Sequence, residues 1–235
     1  MRRWEVVDPT GWVRRCEYVV GAVRANAVAF ELRRGELLLI SPPAGADAEE
    51  ALRELDEAGQ VTAIVAPNGY HRAGLPAAEA HYPGVPIFVE PRALARVARV
   101  CRDRARVRPF AELAPRLPAE LEVFVPPHLK RPDTMARLAT PQGTLWYVND
   151  LLTNIERLAG ARGRVMRLLG YREGLALNRV GGRWLLVADA AACSGWLCAE
   201  LRRHPPAILL TGHGPPIRDA ERLRGLQDVV ARGLA

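Results

Sequence analysis

Polar side chains that can do acid–base or metal chemistry stand at the ends of four apolar segments that we predict to be buried strands. These strands span residues 61–65, 121–125, 143–148 and 207–210. The side chains that follow them are Asn68, Tyr70, His71, His128, Asn149, Asp150 and His213. A lone histidine there is more often a hydrogen-bonding loop residue, and an aspartate before a helix is more often a cap. Loops at one edge of a rigid sheet are nevertheless where functional groups collect, so the joint pattern predicts a site.

The size and charge of the chain limit the number of domains and the class of ligand that we expect. The 235 residues suit a single domain over 1–235, and 49% hydrophobic with 25% charged residues is typical of a globular protein. The net charge of +7 comes from 32 arginines and one lysine, Lys130, a usage typical of a GC-rich genome. The arginines are scattered without interleaved aromatic residues, which disfavours nucleic acid as a partner and favours a small, anionic ligand. The sequence does not define an oligomeric state.

The cysteine spacing and the apolar segments bear on the cellular compartment. No pair among the four cysteines forms the C-x-x-C spacing of a zinc knuckle; they are Cys16, Cys101, Cys193 and Cys198. We expect reduced, mostly buried thiols in a cytoplasmic protein. The first five residues have no apolar core behind them, so we expect no signal peptide. The longest apolar stretch, 184–201, is interrupted by Asp189 and Glu200, so we expect no membrane span.

The order of predicted elements favours a layered α/β fold. Residues 24–32 and 36–40 predict a β-hairpin, and strands then alternate with helices. Two S/T/D-x-x-E patterns predict capping boxes at helix starts: Asp47 with Glu50, and Thr153 with Glu156. We therefore expect two mixed sheets covered by helices.

From about Val23 to Pro216 the sequence resembles the metallo-β-lactamase superfamily. The segments that carry the resemblance are the hairpin ending at Ser41-Pro42, the strand and loop 61–74, Asn149-Asp150-Leu151 and Gly212-His213-Gly214. The resemblance implies an αββα four-layer sandwich of two mixed β-sheets with a metal site at one edge. It also implies that Asp150 stands where the bridging aspartate is usual and that His213 matches the closing histidine. His128 follows a strand as the third-strand histidine does, in a different context.

The first metal-binding motif of the superfamily, His-x-His-x-Asp-His, is altered in this chain. Asn68 and Tyr70 occupy the positions of its two first histidines, Arg72 and Ala73 replace its Asp-His pair, and His71 falls at a spacer. The pattern Ala66-Pro67-Asn68-x-x-His71 is similar to a branch of the superfamily in which the motif is reduced to Asn and His. We therefore expect no dinuclear centre, because too few ligands remain.

Three functions remain open from the sequence. One is a metallo-β-lactamase-fold protein with a degenerate site, acting as a binding protein for an anionic ligand or through a metal-free cluster. The second is a single-metal hydrolase that holds one Zn or Fe ion with His71, Asp150 and His213. In both, substrate contacts would come from Asn68, Tyr70, Arg72 and His128. The third is an unrelated α/β protein, nucleic-acid binders included.

Overall fold

A computed structural model describes residues 3–21, 23–33 and 35–235, so Met1, Arg2, Ala22 and Arg34 lie outside the description. The expectation of no signal peptide thus concerns a segment whose first two residues are not described. The chain divides into two compact units, one ending at Leu121 and the other beginning at Glu122. The single domain over 1–235 stays a prediction.

The described residues of the N-terminal unit form a mixed sheet of seven strands in the order β1-β2-β3-β4-β5-β6-β7. The strands are β1 (Trp4–Val6), β2 (Val13–Val20), β3 (Val23–Arg33), β4 (Glu36–Ile40), β5 (Gln60–Val65), β6 (Ile87–Val89) and β7 (Val107–Pro109). Neighbours from β1 to β4 are antiparallel, and those from β4 to β7 are parallel. The carboxyl ends of β4 and β5 therefore lie side by side, with Ile40 paired to Val65.

Three helices cover one face of this sheet. They are α1 (Ala48–Asp56), α2 (Leu75–His81) and α3 (Pro91–Ala98), and short 3₁₀ turns follow at Arg104–Arg106, Phe110–Glu112 and Ala114–Arg116. Alternate side chains of the strands, such as Ala27, Ala29 and Leu39, pack with Leu52 and Val97 of the helices in one buried cluster. This matches the 3.6-residue apolar period of the helices and the two-residue period of the strands.

The predicted hairpin and the strand at 61–65 are confirmed, but the capping box of α1 is wrong. Asp47 does occupy the N-cap position, yet its side chain makes no capping hydrogen bond. The carboxylates of Asp47 and Glu50 both pair with the guanidinium of Arg3 instead. The guanidinium of Arg3, the residue before β1, therefore binds these carboxylates in place of the backbone N–H groups of the helix.

The C-terminal unit, fully described in its backbone, has a sheet of four strands in the order β13-β10-β9-β8 and a two-stranded ribbon, β11-β12. The strands are β8 (Leu121–Phe124), β9 (Met135–Thr140), β10 (Gly143–Val148), β11 (Leu152–Ile155), β12 (Gly174–Leu177) and β13 (Pro206–Thr211). Strand β10 is antiparallel to β9 and parallel to β13. The carboxyl ends of β10 and β13 therefore meet, with Val148 paired to Thr211.

The helices of this unit are α4 (Gly160–Leu168), α5 (Ala190–Arg203), α6 (Ala220–Arg224) and α7 (Leu226–Leu234), with a π-helical turn at Arg179–Trp184. Trp146 and Leu209 of the sheet pack with Leu197 of α5 and with Leu226 and Val230 of α7 in a second buried cluster. The buried side chains of α7 are Leu226, Val230 and Leu234, one turn apart on one face of the helix. In the described part of the whole chain, no helix has both the length and the apolar character needed to cross a membrane.

The capping box at Thr153 and Glu156 is also wrong, because Thr153 lies in β11 and pairs with Ala176 of β12. Its side chain is fully buried, and α4 begins only at Gly160. Thr153 is β-branched and fits a pleated, buried strand as well as it fits a helix cap. Thr153 lies in a strand because it pairs with β12. The sequence did not predict β12, so it did not indicate this pairing.

Candidate functional site

Asp150 and His213 form a direct hydrogen-bonded pair in the C-terminal unit. They follow the adjacent ends of the parallel strands β10 and β13, and Nε2 of His213 lies 3.0 Å from Oδ1 of Asp150. Only 3% of the His213 side chain and 13% of the Asp150 side chain are exposed. A shielded imidazole–carboxylate pair can hold and move a proton, or offer a nitrogen and an oxygen to one metal ion.

Two glycines let the backbone around His213 approach its neighbours closely. A Cβ on Gly212 would lie 2.8 Å from the carbonyl oxygen of Asn149. Gly214 has a φ of +97°, and a Cβ there would lie 1.7 Å from the carbonyl oxygen of Asn154. The backbone N–H of Asn154 in turn donates to the carbonyl of His213 at 2.9 Å. Gly-His-Gly is therefore required by the packing that fixes the imidazole.

The carboxylate of Asp133, a residue not predicted from the sequence, fixes the backbone of the loop that carries Asp150. It is fully buried, and its Oδ2 accepts hydrogen bonds from the backbone N–H groups of Asp150 and Leu151, both at 2.9 Å. Its Oδ1 accepts from Nδ2 of Asn149 at 2.8 Å. The β9–β10 pairing of Met135 with Val148, continued by two residues, would place Asp133 opposite Asp150. The register of the β9–β10 hairpin is therefore the signal that could have found this residue.

Tyr171 packs against the imidazole of His213. The edge-to-face ring contact has a centroid distance of 5.4 Å and an interplanar angle of 83°. Burial raises the pKa of the Tyr171 hydroxyl, and the nearby negative charge of Asp150 raises this pKa further. The hydroxyl therefore stays protonated and remains a hydrogen-bond donor at neutral pH. Nothing in the spacing around Tyr171 indicates this contact in the sequence.

In the N-terminal unit, Asn68 shapes the loop that carries His71. Asn68 is 1% exposed, and its Oδ1 accepts hydrogen bonds from the backbone N–H groups of Tyr70 at 2.8 Å and His71 at 2.9 Å. In such an Asx turn the side-chain oxygen accepts the hydrogen bonds that a backbone carbonyl would otherwise accept, and this makes the loop rigid. Gly74 closes the same loop, since a Cβ there would lie 2.0 Å from the carbonyl oxygen of Pro42.

Ser41 orients the imidazole of His71. Nδ1 of His71 and Oγ of Ser41 are 2.9 Å apart, and the same Oγ lies 2.9 Å from the hydroxyl of Tyr18. Ser41 is 1% exposed and has a φ of +54°, which is uncommon for a residue with a side chain. Strained, buried residues of this kind are concentrated at functional sites. Because Nδ1 faces Ser41, Nε2 is the ring nitrogen that this geometry presents as ligand or base.

Tyr70 and Arg72 are placed at the surface of the N-terminal unit, against α3. The guanidinium of Arg96 lies over the Tyr70 ring, 4.7 Å from its centroid, and Nη1 of Arg72 donates to the carbonyl of Arg96 at 3.1 Å. The Arg72 side chain thus interacts with the last turn of α3, where carbonyl groups attract a cation.

His128 occupies an exposed turn after β8 and has a φ of +64°. Its backbone carbonyl accepts hydrogen bonds from the N–H groups of Ala188 at 2.8 Å and Asp189 at 3.3 Å. Among the described side chains, His128 does not form a ligand cluster with Asp150 and His213. Its participation in substrate binding stays a prediction.

Comparison with solved structures establishes the fold of the chain. The metallo-β-lactamase TMB-1 is similar with a TM-score of 0.64 and 13% identity, covering 99% of this chain and 98% of that one. A metallo-β-lactamase from Pontibacter korlensis has a TM-score of 0.62 and 14% identity, covering 97% and 99%. DIM-1 metallo-β-lactamase has a TM-score of 0.62 and 12% identity, covering 98% and 97%. No protein-family model matches the chain, and no curated protein does.

The chain has the metallo-β-lactamase fold over nearly its whole length. This confirms the predicted fold class, with its two mixed sheets and their helices, and the resemblance on which that prediction depended. The third reading, an unrelated α/β protein, is wrong. At these identities the likeness concerns the fold, and function has to be argued from the residues of the site.

Proposed function

We propose that this chain is a hydrolase with a reduced, single-metal centre formed by His71, Asp150 and His213. The observation that carries the proposal is the Asp150–His213 pair, in which Oδ1 of Asp150 and Nε2 of His213 are 3.0 Å apart. The buried Asp133 accepts a hydrogen bond from the backbone N–H of Asp150 and so fixes the loop. Ligand residues fixed by further hydrogen bonds are typical of metal sites, because the supporting partners set the direction of each donor atom.

The donor set fits one divalent ion. His71, Asp150 and His213 offer two imidazole nitrogens and one carboxylate oxygen, which suits Zn or Fe and leaves a coordination position for water or substrate. The resemblance to the superfamily supports the inclusion of His71 with the other two, since it implies a metal site at one edge of the two sheets. A bound ion would lower the pKa of water and polarise a substrate oxygen.

A second ion lacks ligands in the N-terminal loop. The Oδ1 of Asn68 already accepts two backbone hydrogen bonds, and Tyr70 is stacked beneath Arg96. Ala73 has no donor atom. A dinuclear centre needs two ions about 3.5–4 Å apart with ligands for each, and these side chains do not supply them.

The roles of the other residues follow from their contacts. Ser41 would hold the His71 ring in one orientation through Nδ1, and Tyr171 would hold the His213 ring by its edge contact. Tyr171, kept protonated by burial and by Asp150, would be available to donate a hydrogen bond to a substrate oxygen. Asn68, by fixing the loop, would position substrate contacts of Tyr70 and Arg72.

A second candidate, a binding protein for a small anionic ligand, is favoured by one observation. Two guanidiniums are held at the same loop, Arg96 over Tyr70 and Arg72 at the Arg96 carbonyl. Two adjacent arginines can bind a carboxylate or phosphate with or without a metal ion.

Metal stoichiometry tests the first proposal. The full chain, stripped with chelator and dialysed, is titrated calorimetrically with zinc, and the product is checked by elemental analysis. We expect one equivalent per chain, and binding weakened at least about 100-fold in Asp150→Asn, His213→Ala and His71→Ala, since each removes one of three ligands. His204→Ala, which changes a histidine outside the proposed ligand set, is the control and should bind zinc as the unmodified chain does.

The other outcomes are equally informative. Two equivalents of metal per chain would contradict the reduced centre. No metal at all would exclude the single-metal hydrolase and leave the anion-binding protein. If one equivalent binds, turnover of chromogenic ester and phosphodiester substrates should depend on the metal and be lost in His213→Ala. Persistence of that turnover in the variant would place the hydrolytic chemistry elsewhere.

A further inference from the structure

Large apolar side chains are exposed in two short segments of the C-terminal unit. They are Val165, Leu168 and Leu169 at the end of α4, and Trp184 and Leu185 at the end of the π-helical turn. Leu168 is 82% exposed and Trp184 is 67% exposed. We call these five residues the apolar patch. A folded chain ordinarily buries such side chains, so a group of them in solvent indicates an interaction surface.

The packing of Gly170 brings the two segments of the apolar patch together. A Cβ on Gly170 would lie 2.6 Å from the backbone nitrogen of Val180. Gly170 directly follows Leu169, and Val180 lies about one π-helical turn before Trp184. The end of α4 therefore lies against the π-helical turn, and the five apolar residues belong to one region of the surface.

The apolar patch lies on the outward face of α4. Gly163 and Met166 are buried, whereas Val165 and Leu168, also three residues apart, are exposed. Leu168 therefore projects from the surface with solvent around most of its side chain. A lipid layer can close around a projecting side chain, whereas a protein partner must offer a preformed pocket of matching shape.

The charges of this unit favour an anionic partner. Residues 122–235 include sixteen basic and ten acidic residues, a net charge of +6. Around the apolar patch, the segment 156–189 has six arginines with described side chains and three acidic residues: Arg157, Arg164, Arg167, Arg172, Arg179, Arg183, Glu156, Glu173 and Asp189. The neighbouring helix α7 adds one charge of each sign, Asp228 and Arg232.

Some of these charges are already bonded within the unit. Glu173 pairs with Arg167 at 3.3 Å, and Asp189 accepts a backbone hydrogen bond as the cap of α5. Nη2 of Arg183 donates to the backbone oxygen of Ala235 at 2.8 Å. These bonds change no net charge, so the described side chains of 156–189 leave a net charge of +3 beside the apolar patch.

We propose that the apolar patch and the arginines beside it bind the surface of a membrane that contains anionic phospholipids. Leucine and tryptophan side chains next to basic residues are typical of segments that lie at the boundary between headgroups and acyl chains. Guanidinium groups bind the phosphates, and the negative surface potential attracts them. Such binding is peripheral and does not depend on the metal centre. A second copy of this chain fits less well, because a symmetric pair would bring the same arginines together.

The test is flotation of the full chain with vesicles of phosphatidylcholine alone and of an equal mixture of phosphatidylcholine and phosphatidylglycerol. We expect the mixed vesicles to bind at least about tenfold more tightly, because several arginines each contribute near an anionic surface. Raising the salt concentration from about 50 to about 300 mM should weaken this binding, since salt screens charges at a surface.

Variants test which residues make the contact. Leu168→Ala and Trp184→Ala should each weaken binding to the mixed vesicles about tenfold, because less apolar surface is buried. Arg164→Gln should weaken it about fivefold, the factor expected for one arginine near an anionic surface. The matched controls are Val6→Ala and Arg108→Gln, which change exposed residues of the N-terminal unit and should leave binding unchanged.

Four results would overturn the proposal. One is the absence of flotation with either kind of vesicle at low salt. Equal binding to both kinds would show that the arginines do not contribute. Unchanged binding of Leu168→Ala and Trp184→Ala would place the contact elsewhere. Dimerisation that is lost in Leu168→Ala, without vesicle binding, would show that a second copy covers the apolar patch. Circular dichroism of the variants, whose altered side chains are exposed, checks that all remain folded.

Discussion

The carboxylate of Asp133 lies beneath the backbone of Asp150, whose N–H donates to Oδ2 of Asp133 at 2.9 Å. Asp133 is fully buried and accepts two further hydrogen bonds, from Leu151 and Asn149. The Asp150 side chain therefore projects from a loop that a second acidic residue fixes. This makes Asp133 a positioning residue for the pair that Asp150 forms with His213.

Asp133→Asn tests this role, because it preserves shape but replaces one acceptor oxygen by an NH₂ group facing backbone N–H donors. We expect the free energy of unfolding to fall by about 2–4 kcal/mol, as for other broken buried networks. Zinc affinity should fall about 10–100-fold, the usual effect of losing a residue that orients a ligand. Urea denaturation and zinc titration of the same preparation measure both.

Asp189→Ala is the control for this variant. The Asp189 side chain accepts from the backbone N–H of Ala192 at 3.0 Å as the cap of α5. Its loss should cost about 1 kcal/mol of stability and leave zinc affinity unchanged. Zinc binding by Asp133→Asn at the level of the unmodified chain would show that Asp133 stabilises the fold without positioning a ligand.

Ser41 offers a way to separate orientation of His71 from stability. Both Ser41→Ala and Ser41→Gly remove the hydroxyl that lies 2.9 Å from Nδ1 of His71. Only glycine relieves the backbone strain at a φ of +54°, so Ser41→Gly should be about 1 kcal/mol more stable than Ser41→Ala. Zinc affinity should fall about tenfold in both variants. Affinities that followed stability instead would contradict the orienting role.

Most strands that the sequence predicted have short, mainly apolar segments between turn residues. Strand β4 was predicted with its observed bounds, Glu36–Ile40. Strand β2 was missed because Arg15 and Glu17 interrupt its apolar pattern. Arg15 is nevertheless 8% exposed, and its guanidinium donates to Asn26 at 2.8 Å and to Glu5 at 2.8 Å. Hydrophobic periodicity does not reveal a charge that becomes buried only because neighbouring strands supply its partners.

The residues of the candidate site also divide into those that the sequence predicted and those that it did not. Asp150, His213 and His71 were predicted from their residue types at strand ends. Ser41 and Asp133 were missed because their importance depends on which side chain lies across the next strand, and a serine or aspartate near proline predicts a turn. Only the hairpin register of β9 and β10 carried information about Asp133.

Gly214→Ala should be among the most destabilising substitutions of a small residue in this chain. Its Cβ would meet the Asn154 carbonyl at 1.7 Å, and its φ of +97° is strained for any other residue. We expect a loss of more than about 2 kcal/mol in denaturation experiments. Gly195, inside α5 with open space around its Cα, is the matched control, and Gly195→Ala should gain about 0.5–1 kcal/mol. Equal effects of the two would contradict the close packing at His213.

The four thiols should react unequally with the disulfide reagent DTNB. Burial raises the pKa of Cys16 to about 12 and the pKa values of Cys101 and Cys193 to about 11. Since the thiolate is the nucleophile, these three should react slowly in the folded protein, whereas the partly exposed Cys198 should react first. We expect one fast thiol per folded chain and four in denaturant. A fast phase retained by Cys198→Ala would contradict this assignment.

Cys193 also predicts how stability depends on pH. Its pKa is raised in the folded chain from about 9.0 to about 11, so the folded state holds the proton more tightly than the unfolded state. The resulting stabilisation is complete below pH 9 and is lost as the pH rises toward 11, by up to about 1.4 kcal/mol per pH unit. Urea denaturation between pH 8 and 10 should show this slope. Cys193→Ala should reduce it, and an unchanged slope would contradict the prediction.

The parallel pairing of β10 with β13 has a consequence for biosynthesis. Asp150 and His213 are 63 positions apart in the chain, and β13 joins β10 as the last strand of its sheet to be made. Pairing of such high contact order forms slowly, because a long loop must close before any contact compensates its lost entropy. On the ribosome, the edge of β10 that β13 later covers must therefore wait until the chain has been translated through β13. The carboxylate–imidazole pair is thus acquired only after the segment between the two residues has been made.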